Sequence, residues 1–232
     1  MQFIESSDLY VRAVIYRLSK DGYQLEYLLC PMIHIGSPQY YDEVLQRLME
    51  CDLIFVEGVH SKKISFLRQS MRFVGRSKRL GLMHQSDADL ARINDRTQHA
   101  DMDVSEFDSH WSAMSLAAKF ILTILAPCFF VYFAMFGSRR LVGKVLAFDD
   151  LPSRREIVQD NEHFDEIDNL LKEKRDKNLI RIIETHFQEN QDEKLLIGVM
   201  YGARHMRAVV RFLMNRLGYK ITASDWVKVF DL

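Results

Sequence analysis

The chain has 232 residues, of which 48% are hydrophobic and 27% charged. This is enough to bury a substantial core and excludes a disordered tail. The 31 Lys and Arg balance 32 Asp and Glu, so no overall field steers the chain onto nucleic acid, and a bulk polyanion binder is excluded. Ten glycines and four prolines are too few for a turn-rich β-sandwich or a low-complexity architecture.

In chain order, the first quarter reads as strands. Tyr10–Arg17 is rich in β-branched and aromatic residues, Lys20-Asp21-Gly22 supplies a turn, and Leu25–Ile33 is apolar enough for burial on both faces. Ser37-Pro38 opens a helix in the N-cap then N1-proline order, running to about Glu50 with Val44, Leu45, Leu48 and Met49 as its stripe. Leu53–Val56 predicts a buried strand ending in Glu57-Gly58. Strand, helix and strand make a βαβ unit with parallel pairing.

Beyond Gly58 the patterns predict a helix at Lys62–Val74, a short strand at Arg79–Met83, a helix at Asp87–Ile93 and an extended piece at Gln98–Met102. Asp165–Gln188 is helical in period, Leu195–Met200 is a buried strand, and Arg204–Leu217 is a helix stopped by Gly218 at C′. Tyr219–Ile221 and Trp226–Phe230 predict two closing strands. The expected fold class is α/β (α+β): a mixed sheet of two βαβ-like halves with flanking helices and a hydrophobic helical insertion. One domain covers residues 1–232, with 110–160 as the atypical apolar insertion.

Cys30, Cys51 and Cys128 are odd in number and widely spaced, so neither a disulfide framework nor a zinc knuckle is expected. The start of the chain lacks a basic region followed by an apolar core, so no secretory signal is read. The expected location is cytoplasmic, or peripheral to a membrane.

Polar groups that follow buried strands carry the functional signal, because α/β folds gather their sites at strand C-termini. His34 follows the Leu25–Ile33 run, Glu57 follows Leu53–Val56, and His205 follows Leu195–Met200 by a short turn. Two imidazoles and a carboxylate are also a ligand set of hydrolytic metal sites. Alone, each residue is as readily a loop hydrogen-bonder. His84, Gln85, Asp101 and Asp103 read as turn formers rather than site residues. His60, His99, His110, His163 and His186 read as surface, and Lys172–Lys177 as a mixed-sign exposed helix face.

Several strings, taken in order, resemble the TraB/PrgY pheromone-shutdown and TIKI family. They are Tyr27–Ser37 with its strand-terminal histidine, Leu53–Gly58 ending in glutamate, Leu80–Gln85, Ala100–Asp103, Glu173–Leu179 as the helical arginine motif, and Ile197–His205 as a Gly-x-x-His motif. The resemblance covers roughly residues 25–105 and 165–220. It departs at Pro31, which stands where the first Gly-x-x-His motif has glycine, whereas Gly202 and His205 keep the second. The resemblance implies an α/β scaffold related to erythromycin esterase and ChaN-like proteins, and a metal-dependent hydrolase of peptide or ester and amide bonds. It implies His34, Glu57, Arg175 and His205 as catalytic residues, with His34, Glu57 and His205 holding a divalent Mn, Co or Zn ion. Such an ion lowers the pKa of bound water. A metal-free route, with His34 or Glu57 as general base, fits the same residues. The alternative function is a non-catalytic peptide- or protein-binding regulator with a degenerate first motif.

Phe120–Gly137 carries no formal charge, is flanked by Lys119 and Arg139-Arg140, and has Pro127 at its middle. A single membrane crossing would separate His34 from His205. The consistent expectation is a proline-kinked hydrophobic hairpin, packed on the domain, on a sister subunit as a homodimer through 116–137, or shallowly on a membrane surface. The expected partners are a peptide or small-molecule substrate and no nucleic acid.

Overall fold

The computed structural model describes residues 2–59, 61–150 and 162–232. His60 and positions 151–160 of the expected insertion lie outside them. The strands are β1 (Ile4–Ser6), β2 (Tyr10–Ser19), β3 (Glu26–Met32), β4 (Ile35–Gly36), β5 (Leu53–Val56), β6 (Met83–His84), β7 (Thr97–His99), β8 (Leu196–Gly202) and β9 (Lys220–Asp231). The main helices are α1 (Pro38–Leu48), α2 (Ser65–Gly75), α3 (Val104–Ala113), α4 (Leu116–Phe136) and α5 (Arg139–Asp149). They are followed by α6, which joins Glu162–Asp168, a π turn at Asn169–Glu173 and Lys174–Asn190, and by α7 (Ala203–Asn215).

The fold is α/β with a mixed sheet. β2 pairs antiparallel with β9 along its whole length, and its other edge is shared by β1 at Val11–Ala13 and β3 at Tyr16–Leu18. From β3 the sheet continues in parallel through β8 and β5 to β7. Only β2 runs against the other strands of this sheet.

The two strands of the early βαβ unit are parallel but not neighbours. β8, from the far end of the chain, lies between them, with Leu29 and Phe55 both opposite Val199. Burial explains the choice: β8 is Leu-Ile-Gly-Val-Met-Tyr-Gly, buried from Ile197 onward, and only a central position covers both its edges and faces. Gly198 fits this packing, since a Cβ there would lie 3.0 Å from Leu48 and 3.1 Å from Cys51.

α1 begins as its sequence demands. The Ser37 hydroxyl accepts from the Tyr40 N–H at 3.2 Å, and Pro38 takes N1. Tyr40, Tyr41, Val44, Leu45 and Leu48 are buried. Pro31 lies past the end of the β2–β3 ladder, which stops at Leu29, so its missing N–H breaks no pairing on that edge. Its carbonyl accepts from the Tyr40 hydroxyl. α7 ends with Gly218 in the left-handed region at φ +77°, as a C′ glycine does.

Four local expectations are corrected. The stretch 79–83 is not a strand; only Met83–His84 pairs, with Ile35–Gly36. Asp87–Ile93 is not one helix but two 3-10 turns, Gln85–Asp87 and Leu90–Arg96. The two closing strands are one, β9, whose bulges let a continuous strand follow all of β2.

The hydrophobic stretch is likewise not a hairpin. α4 passes through Pro127 by inserting a π turn at Ile121–Leu125, in which the Ala126 N–H reaches the Ile121 carbonyl. Widening the helix one turn ahead of the proline absorbs its missing donor and ring clash. One side of α4 packs on α2, and its Leu122, Phe133 and Ala134 are buried, but only 22% of its apolar stretch is buried. The rest of the apolar material forms two buried clusters. The larger surrounds the sheet; a smaller one joins Val59, Met102, Phe107, Trp111, Met114, Ala118, Leu122 and Leu170.

Candidate active site

The four parallel strands end level with one another: Met32 opposite Gly202, and Val56 opposite both Met200 and His99. The residues at and just past these ends therefore converge. Glu57 follows β5, Ala100-Asp101 follow β7, Gly202 closes β8 and His205 sits on the first turn of α7. α6 delivers Arg175 and Asp176 from above.

Arg175 is the hub. It donates to Glu57 Oε1 at 2.6 Å, and through Nε to Asp101 Oδ1 at 3.0 Å, with a further contact from its terminal nitrogen to Asp101 Oδ2. Asp101 also accepts the Gly58 N–H at 3.0 Å and the Met102 N–H at 2.8 Å. Glu57 Oε2 takes the Gly202 N–H at 2.5 Å. Glycine suits this approach, because a Cβ on residue 202 would come within 3.1 Å of Glu57 Oε2.

His205 Nδ1 lies 2.6 Å from Asp176 Oδ1, and Lys172 donates to the other Asp176 oxygen at 3.1 Å. The imidazole Nε2 faces Glu57 Oε1 at 3.8 Å. The side chains of Asp101, His205, Arg175 and Glu57 are 0%, 6%, 12% and 16% exposed. The site is thus a nearly dry line of ionisable groups, Asp176–His205···Glu57–Arg175–Asp101, joining β5, β7, β8 and two helices.

Burial alone would push the Glu57 carboxyl up. The attraction of Arg175, then of His205 and His34, and the Gly202 N–H outweigh it and hold Glu57 well below the usual carboxylate range. Burial would likewise lower Arg175, but Glu57 and Asp101 raise it above its ordinary value. Glu57 is therefore ionised, and its charge is fixed in direction. Tyr201 closes the floor, its hydroxyl donating to the Ala100 carbonyl at 2.9 Å, with burial raising its pKa.

Of the four residues read from the sequence, Glu57, Arg175 and His205 are drawn together. His34 stands at the rim. Its field reaches Glu57, but its half-buried ring lies parallel to that of His84, 6.4 Å away, and no hydrogen bond among the described residues joins it to the other three. Comparison with protein-family profiles, with curated proteins and with solved structures finds no match to this chain. The site must be read from its own geometry.

A divalent metal fits that geometry poorly. Among the described residues no three His, Cys, Asp or Glu side chains are grouped to hold an ion. Glu57 spends one oxygen on the guanidinium and the other on a backbone N–H, so a cation there would sit beside Arg175.

Three participants depart from part of their sequence reading. Asp101 is more than a turn former: its side chain is the fully buried partner of Arg175, placed after β7 as Glu57 is after β5. Asp176 and Arg175 do not lie on a solvated face. Asp176 shares the buried side of α6 with Leu179, Ile183 and Phe187, a spacing of three and four residues visible in the sequence. His186 is also not a surface residue: half-buried, its Nδ1 has no hydrogen-bond partner among the described residues, and burial lowers its pKa. Two surface hollows, of about 540 and 200 Å³, lie elsewhere, beside Arg140 and Lys144 and beside Trp226.

Proposed function

We propose that the chain is a hydrolase of peptide, ester or amide bonds whose proton-transfer group is His205, without a resident metal. One observation carries the reading: His205 is held through Nδ1 by Asp176 and presents Nε2 to an ionised carboxylate 3.8 Å away. Asp176 accepts a hydrogen bond from Nδ1–H, which keeps that proton on Nδ1 and the lone pair at Nε2. A water between Nε2 and Glu57 gives a proton to Nε2 while Glu57 orients it. Its oxygen bonds to the carbonyl carbon of the substrate. As the C–O or C–N bond breaks, the proton on Nε2 passes to the leaving oxygen or nitrogen. Arg175 is the positioning residue, holding Glu57 in place and compensating Glu57 and Asp101 together.

The test is hydrolysis of a panel of nitrophenyl esters and anilides and of a peptide mixture, with and without chelator. His205→Ala is expected to lose at least ~100-fold in rate, with the wild type indifferent to chelation. Wild-type rates in His205→Ala overturn the assignment of His205; activity abolished by chelator and restored by Mn, Co or Zn returns the metal-dependent reading.

The second reading, a non-catalytic peptide- or protein-binding scaffold, is favoured by one feature. Both Glu57 oxygens are already bonded within the protein, as in a structural staple. It predicts no turnover of any panel member by the wild type.

A further inference from the structure

The α2–α4 surface inverts the usual exterior. α4 has a mean hydropathy of 2.0 over its apolar window. Leu116 is 84% exposed and Tyr132 60%, with Phe120 and Phe129 exposed beside them. α2, packed along α4, adds exposed Phe66 and Phe73, seven residues apart and so on one helical stripe.

The two segments that build this surface carry charge of one sign, although Glu166 of α6 accepts from Ser115 at the start of α4 and Asp8 lines one hollow with Arg140 and Lys144. Positions 58–86, which contain α2, carry seven Lys or Arg and no Asp or Glu. Positions 109–148, which contain α4 and most of α5, carry four and none. That leaves 20 of the 31 basic residues to balance all 32 acidic ones elsewhere. The two basic segments meet in space, because Arg79 donates to the Met135, Phe136 and Gly137 carbonyls at the end of α4, and Arg139 to those of Leu80 and Gly81. Arg76, Lys78, Arg140 and Lys144 have no carboxylate partner among the described residues.

α4 does not divide the molecule. β5, before it in the chain, and β8, after it, are neighbouring strands, so both halves lie on the same side of whatever covers this face. We propose that the α2–α4 surface docks in the plane of a membrane bearing anionic lipid headgroups. The aromatic and aliphatic side chains enter the boundary between headgroups and acyl chains, and the flanking Lys and Arg meet the headgroup charge. A second copy fits worse. A two-fold contact sets a patch against itself, so these cations would face their own duplicates.

The experiment is vesicle flotation of the full chain with phosphatidylcholine alone or with about 30% phosphatidylserine added, repeated at raised salt. Binding is expected only to the anionic vesicles and weakened by salt. It should fall at least about tenfold in Phe129→Ser/Tyr132→Ser and several-fold in Arg140→Gln/Lys144→Gln. Should the first variant fail to fold, the second and the salt dependence decide. No binding to anionic vesicles, equal binding to neutral ones, or undiminished binding of the folded variants overturns the proposal. So does a stable dimer that excludes vesicles and dissociates in Phe129→Ser/Tyr132→Ser.

Discussion

The charge cluster at the strand ends and the outer face of α4 are opposites. In the first, five ionisable side chains are withdrawn from water and tied to one another; in the second, large apolar side chains stand in contact with solvent. Each costs the isolated chain stability, since desolvated charges and exposed hydrocarbon are both unfavourable. The difference lies in what answers the cost. The cluster supplies its own compensation in Arg175, the Gly202 N–H and the backbone N–H groups that Asp101 accepts. The α4 face contains no such answer among the described residues, which is why a membrane surface is proposed to cover it.

The contrast is sharpest at Arg175. Arg175→Met leaves Glu57 and Asp101 buried without their counter-charge, and is expected to destabilise the fold by about 3–5 kcal/mol in urea unfolding. A loss under ~1 kcal/mol would mean that the cluster is wetter than its burial implies.

Acid should separate the regions next. His84, beside the cluster, has a pKa lowered to about 4, chiefly by burial and then by His34 and Arg72. The unfolded chain takes up that proton first, near pH ~6.5, so stability falls as pH drops from there toward 4, by on the order of 2–3 kcal/mol. Glu57 adds a second loss at lower pH. Its folded-state pKa is depressed, so its contribution is complete above the unfolded range near ~4.3 and disappears as pH falls through the folded value. Melting temperatures of the wild type, His84→Gln and Glu57→Gln between pH 7 and 3 check both. A flat first segment in the wild type would contradict the burial of His84.

The smallest effect belongs to α4. Phe129→Ser alone should change the stability of the free protein by no more than ~1 kcal/mol, because about half of the side chain already faces water. A thermal shift of several degrees would show that this face is covered in solution.

The sequence marked Glu57 and His205 because both follow apolar runs, and those runs were readable without knowing their neighbours. It marked Arg175 through the family-like string, but Asp176 looked like one more charge in a mixed-sign run. Counting by threes and fours back from Leu179, Ile183 and Phe187 places it on the buried side. Asp101 was hidden because β7 is three residues long and two of them are exposed, which leaves no apolar run to point at its end. The π turn ahead of Pro127 was likewise invisible, since a proline within an apolar stretch reads as a break unless neighbouring packing holds the helix together.

Local chemistry alone therefore determined the elements with strong signals: the capped α1, the buried β3, β5 and β8, the glycine stop after α7 and the mixed α/β class. Which strands are neighbours was decided only in three dimensions. A parallel ladder is chosen by mutual burial, not by order along the chain, and β8 enters between β3 and β5 because that slot covers it most fully. This insertion sets Gly202 against Glu57 and His205 across from it, residues nearly 150 positions apart. The periodicity of either segment alone contains no trace of that meeting.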